Sequence, residues 1–105
     1  MKILFDQGTP APLRHHLAEH SVDTAFEMGW SNLRNGELLD RAEEGNYELL
    51  ITTDQQLRHQ QNFATRQLAV LVLLTTSWPR IQSKVPEIRE VINRMQPSDY
   101  REVSI

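Results

Sequence analysis

The sequence predicts a three-layer α/β/α domain on a mainly parallel sheet of four to five strands, and three observations carry that expectation. Short apolar runs recur at 2–5 (KILF), 48–53 (ELLITT) and 68–74 (LAVLVLL). The last of these shows no polar alternation, as expected for a central parallel strand covered on both faces. Between the runs lie stretches with helical spacing of apolar residues, and strand–helix units in series imply a parallel sheet with right-handed crossovers.

Each element has its local reason. The first run ends at Asp6, Gln7 and Gly8, which reads as strand then turn. Thr9 suits an N-cap, Pro10 a first helical position, and Leu13 and Leu17 repeat at helical spacing, so a helix is expected from about 10 to 19. Val22 to Phe26 read as a second strand, and Gly29 to Gly36 as a loop rich in Asn, Ser and Gly. Asn35 is expected to cap a helix through about Glu44 that buries Leu38, Leu39 and Ala42, with Gly45 as its stop. After the strand at 48–53, Asp54 is expected to cap a polar helix to about Arg66. Ile81, Val85, Ile88, Ile92 and Met95 share one helical stripe; Ser83 as N-cap places Pro86 in the first turn, and Pro97 ends the helix. These elements define one domain over 1–96, and residues 97–105 read as a tail or an edge strand.

Composition excludes several classes. With 105 residues, 39% hydrophobic and 24% charged, the chain is expected to be one soluble globular domain. No apolar run approaches the ~20 residues needed to span a bilayer. The start, with one Lys and then Asp6, does not read as a signal peptide, so the expected compartment is the cytoplasm. The absence of Cys rules out disulfides, Cys-based zinc sites and thiol nucleophiles. A net charge of −3 argues against strong nonspecific nucleic-acid binding, which depends on phosphate neutralisation, but not against a nuclease with an acidic metal site.

Parallel α/β sheets bind ligands beyond the carboxyl ends of their strands, where strand order reverses. Three carboxylates fall there: Asp6 after the first strand, Asp54 after the third, and Glu37 in the first turn of the helix after the second. Each has a structural alternative, since Asp6 suits its turn, Glu37 the positive end of its helix and Asp54 an N-cap. Carboxylates that converge raise one another's pKa and are best held by a cation. Oxygen donors without thiolate select Mg2+ or Mn2+, and such an ion activates water for phosphodiester hydrolysis.

The segments ILFDQGTP, NGELLDRAEE and LLITTDQQLRHQQN followed by LAVLVL, in that order, resemble the small PIN-like domains related to PilT N-terminal and VapC-type nucleases. That resemblance extends to about Met95 and implies a Rossmann-like sheet of order 3-2-1-4, with room for a fifth strand. It further implies an RNA-cleaving metal site at Asp6, Glu37 and Asp54, and a small antitoxin-like protein partner. The chain departs from the family pattern by having Gln7 where a second acid often follows, and Gln55, Gln56, Gln61 and Asn62 where a fourth acid is usual.

Further candidates are weaker. Arg34, Arg58, Gln61 and Asn62 are candidate RNA contacts; Arg58, four residues after Asp54, has the alternative of pairing with that carboxylate. Arg14 and Arg66 are further candidates for a phosphate path. Trp30 suits either stacking on a base or plugging the core beneath its loop. His16 and His20, four apart, have the spacing of a zinc pair but lack a third ligand, and a solvated helix face is the simpler reading. An apolar last helix and an edge strand allow a homodimer. Three function classes remain: a metal-dependent ribonuclease, a degenerate PIN-like domain that only binds RNA or protein, and a receiver-type phosphoacceptor with Thr75 or Thr76 after the fourth strand.

Overall fold

The computed structural model of the chain describes residues 1–60 and 65–105, with the backbone alone at residue 60. Five strands, β1 (Lys2–Phe5), β2 (Ser21–Thr24), β3 (Leu49–Thr52), β4 (Ala69–Leu73) and β5 (Tyr100–Val103), form one sheet in the order β2-β1-β3-β4-β5. Every neighbouring pair is parallel, with Phe5 opposite Thr24 and Ile51, and Thr52 opposite Val72. Helices α1 (Asn35–Glu44), α2 (Leu57–Gln60), α3 (Trp78–Ser83) and α4 (Val85–Arg94), with a 3₁₀ helix at Ala11–His16, cover it. Among the described residues, no helix is long and apolar enough to cross a membrane.

The strands form because their residues bury on both faces. Ile3, Phe5, Leu49, Ile51, Ala69 and Leu71 face one layer with Leu13, Leu17, Ile81, Ile88 and Ile92. Leu4, Leu50, Val70 and Val72 face the other, with Leu38, Leu39, Ala42 and Leu57. The period-2 alternation of strand side chains thus divides one continuous apolar run between two cores.

Strand order corrects the expected 3-2-1-4. The first strand lies between the second and the third, the doubly wound order of flavodoxin-like sheets, so the reversal falls between β1 and β3. Local patterning specifies that a strand is buried on both faces but not which neighbours it takes. The expectation of uniformly right-handed crossovers also fails. From β2 to β3 the chain crosses on the α1 face, whereas from β4 to β5 it moves the same way across the sheet on the α3–α4 face. Two parallel crossovers running the same way on opposite faces have opposite hands.

Several boundaries moved for identifiable reasons. The first helix is a six-residue 3₁₀ turn with Pro10 as its N-cap, because the Thr9 hydroxyl is engaged elsewhere and Pro10 and Pro12 remove amide donors. Strand β2 ends at Thr24 rather than Phe26, since Thr24 and Glu27 exchange hydrogen bonds: each amide donates to the other's side chain, at 3.0 and 3.1 Å. Helix α1 starts with Arg34 as N-cap, and Gly45 follows it with ordinary negative φ. The left-handed residue is Asn46 (φ 62°). A Cβ on Gly45 would lie 3.0 Å from the Tyr47 ring, so its lack of a side chain is what admits that ring. The Ser83 hydroxyl donates back to the Arg80 carbonyl at 2.6 Å instead of capping, so α3 closes there and Lys84 caps α4, with Pro86 in its first turn. Asp54 precedes a short helix, Leu57–Gln60, and the rest of the helix expected to Arg66 lies partly outside the described residues. The segment after Pro97 supplies β5, whose Val103 is buried against β4.

Candidate functional site

Asp6 leaves β1 at the point of strand reversal, and its amide donates to the Ile51 carbonyl of β3 at 3.1 Å. Its carboxylate is received by two threonines. Thr9 donates to Oδ1 at 2.8 Å, and Thr52, at the end of β3, donates to Oδ2. Both threonines are buried, at 6% and 1% exposure, and Thr9 is also 2.8 Å from the Ile51 carbonyl. Burial pushes the Asp6 carboxyl above its ordinary value, against the Thr52 and Thr9 hydroxyls and the Thr9 and Gly8 amides, which favour the charged form.

The Thr52 oxygen also accepts the Asp54 amide at 3.0 Å, so one hydroxyl joins the ends of β1 and β3. Asp54 in turn caps the following turn, its Oδ1 accepting the Gln56 amide at 2.9 Å. Its Oδ2 accepts from the Asn35 side chain, also at 2.9 Å, which brings the start of α1 to the same crevice. Gly8 sits where the two loops meet: a Cβ there would lie 2.6 Å from the Thr53 hydroxyl oxygen, which would have to move aside.

Beside Asp6 lies a cleft of about 130 Å³ lined by Asp6, Gln7, Ala25, Trp30, Ser31 and Asn35, among others. Pockets for drug-sized ligands run to roughly 300–1,000 Å³. A volume this small suits a single small group or an ion with its water. Trp30 packs on the core, edge-on to Tyr47 at 6.1 Å, as the core-plugging reading expects, and it also lines the cleft.

The three acids are not equally placed. Thr52 links the Asp6 carboxylate to the Asp54 backbone amide, while Glu37 is exposed in the first turn of α1. Among the described residues, no group of three or more His, Cys, Asp or Glu side chains is gathered closely enough to hold a metal ion. The donor chemistry nevertheless fits a hard divalent cation, since Mg2+ is commonly held by one or two carboxylates plus waters and substrate phosphates. Asp6 and Asp54 are the carboxylates that would hold it.

The basic candidates separate clearly. Arg34 is exposed at the start of α1, near Asn35. Arg58 pairs with Glu102 of β5 at 3.3 Å rather than with Asp54. Arg14 is engaged by Glu27, and Arg66 by Glu43 at 2.7 Å and Asp40 at 2.9 Å. Gln61 and Asn62 lie outside the described residues. His16 stacks against Trp78 at 5.7 Å, while His20 lies beyond the 3₁₀ helix and faces the amino terminus at 3.1 Å, so the two share no helical face as a zinc pair would.

Sequence reasoning missed Thr9, Thr52 and the second role of Asn35. The available signal was a hydroxyl three residues after Asp6, within reach of that carboxylate by local turn geometry, and another two before Asp54, within reach of the Asp54 amide. No family model, no curated protein and no solved structure matches this chain.

Proposed function

We propose that the crevice over β1 and β3 is the active site of a Mg2+- or Mn2+-dependent ribonuclease that hydrolyses RNA phosphodiesters, of the small PIN-like kind its motifs resemble. The supporting observation is that Asp6 and Asp54 follow the carboxyl ends of adjacent parallel strands at the reversal of strand order, with the Thr52 hydroxyl bonded to the Asp6 carboxylate and to the Asp54 backbone amide. That is where open α/β sheets bind ligands. Asp6 and Asp54 are assigned as cation ligands, and Glu37 as the residue that orients the attacking water. A bound divalent ion supplies an activated water and charge stabilisation of the leaving oxygen. Thr52 and Thr9 hold the Asp6 carboxylate in one orientation, and Asn35 does the same for Asp54. Arg34 and Arg58, with Gln61 and Asn62, are assigned to the RNA strand. A small protein covering the cleft, as antitoxins cover toxins, is the partner this assignment implies.

One observation favours a second reading, in which the domain binds RNA or protein without chemistry. Every carboxylate oxygen of Asp6 and Asp54 already accepts a hydrogen bond from the protein. Incubating purified protein with labelled RNA in Mg2+, Mn2+ or EDTA separates the two. Cleavage in either metal that disappears in EDTA and in Asp6→Asn and Asp54→Asn is the expected result. RNA that is bound but never cut in any metal leaves the binding domain, and cleavage that persists in both variants removes the site.

A further inference from the structure

The turn after β2, flanked by the cleft-lining Ala25 and Trp30, sets an aromatic side chain in solvent. Phe26 is 78% exposed, and no other large hydrophobic side chain among the described residues is as open; Met28 follows at 41%. Its position is fixed by the sheet. Ala25, the preceding residue, donates its amide to the Phe5 carbonyl at 2.8 Å, which places it level with Asp6, and its side chain lines the same cleft. Trp30 closes the turn by donating to the Ala25 carbonyl at 2.8 Å and lines the cleft as well.

This turn is held firmly. Thr24 and Glu27 exchange hydrogen bonds around Phe26, and Arg14, from the 3₁₀ helix, grips both oxygens of Glu27. The Met28 amide returns to the Thr24 carbonyl at 3.1 Å, and Gly29, with φ 77°, donates to the Phe26 carbonyl at 3.1 Å. These bonds fix the backbone of the turn, and its large apolar ring stands open to solvent. A planar ring on a turn whose flanking residues line the proposed phosphodiester-cleaving crevice matches the way sequence-tolerant proteins hold single strands, by stacking a base on an aromatic face.

From this placement we infer that Phe26 is a stacking platform for a nucleobase of single-stranded RNA, positioning the strand whose phosphate enters the Asp6 cleft. The inference deepens the ribonuclease assignment and rests on it. Phe26 touches the base and not the reacting atoms, so it is a positioning residue. Because the ring is exposed, its replacement leaves the fold intact.

The test measures anisotropy of a fluorescein-labelled, mixed-sequence single-stranded oligoribonucleotide in EDTA, where metal-dependent cleavage is silent. Phe26→Ala and Phe26→Leu are expected to weaken binding about tenfold, within the range found for losing one stacked base, while Phe26→Trp retains it. Thermal melting of the three variants is expected to match the parent. Loss in Phe26→Ala but not in Phe26→Leu would identify a merely greasy contact and overturn stacking. Unchanged RNA binding in every variant overturns the inference, and so does a change confined to self-association in sedimentation, which would mark a protein contact. A parent chain that binds no RNA overturns it together with RNA as substrate. Phe26-dependent binding by a chain that never cuts RNA upholds the platform while removing the nuclease.

Discussion

The Thr52 hydroxyl, at the end of β3, donates to the buried side of the Asp6 carboxylate at the end of β1. Thr52→Val keeps the shape of the side chain and removes that donor. A buried acceptor deprived of its partner costs about 1–3 kcal/mol, so urea unfolding at neutral pH is expected to show a loss of that size. The loss requires ionised Asp6, and it therefore fades as pH falls through the folded-state value of that carboxyl, which burial holds above the ordinary one. A deficit of equal size at every pH would show that Thr52 acts through packing alone.

Asp6 illustrates a conflict between site and stability. Burial raises its folded-state pKa above the ordinary carboxylate value, so the folded protein disfavours the charge. The sign follows directly. This group stabilises the fold below its unfolded pKa, and that contribution is lost as pH rises through the folded value. Asp6→Asn removes the charge, and its thermal midpoint at neutral pH is expected to equal or exceed that of the parent while cleavage falls to background. A variant that melts earlier at neutral pH would place the carboxylate among the structural necessities of the fold.

Glu27 behaves in the opposite way. Hydrogen bonds from Arg14 and then from the Thr24 amide hold its carboxyl down to about 2. A depressed carboxylate contributes stability above its ordinary value of 4.5, which is lost as pH falls towards about 2. Glu27→Gln is expected to be the less stable protein at neutral pH and to converge with the parent as acid unfolding, followed by circular dichroism, approaches the bottom of that window. Parallel curves across the whole range would mean the Arg14–Glu27 contact contributes nothing in solution, as many exposed pairs do.

Both tyrosines are expected to titrate late. Burial, and then a hydrogen bond to Asp23 at 2.7 Å, raises Tyr47, while burial and Glu102 push Tyr100 up to about 12. A phenol raised in this way favours the neutral form, so its stabilising contribution is present below the ordinary value of 10.0 and lost as pH rises through the folded value. Ultraviolet titration should therefore show no tyrosinate step near 10 in the native protein. Tyr47→Phe, with one phenol left, assigns the remaining step to Tyr100, and ionisation there at the ordinary value would show that ring open to solvent.

Much of the framework was readable from residue type and spacing. KILF, LLIT and AVLVL are buried strands, and Leu38, Leu39 and Ala42 form the inner face of α1. What could not be read was pairing. The place of β1 between β2 and β3, and the face used by the last crossover, depend on contacts between segments remote in sequence. Asp6 and Asp54 were visible because a polar residue that ends an apolar run is conspicuous. Thr52 was not, since a threonine in a strand is an ordinary β-former. Asn35 was read as a helix cap, whereas its side chain reaches Asp54. Phe26 looked like the end of a strand because the Thr24–Glu27 exchange that stops β2 is carried by side chains rather than by apolar pattern.

The position of β5 against the apolar β4 has a consequence for aggregation. Backbone groups on the outer side of β4 are satisfied by the last strand: Val70 donates to Asp99 at 2.8 Å and Leu74 to Val103 at 3.0 Å. Wherever Tyr100–Val103 detaches, AVLVL presents an open flank, so undocking of this one strand exposes the stickiest stretch of the polypeptide to coaggregation.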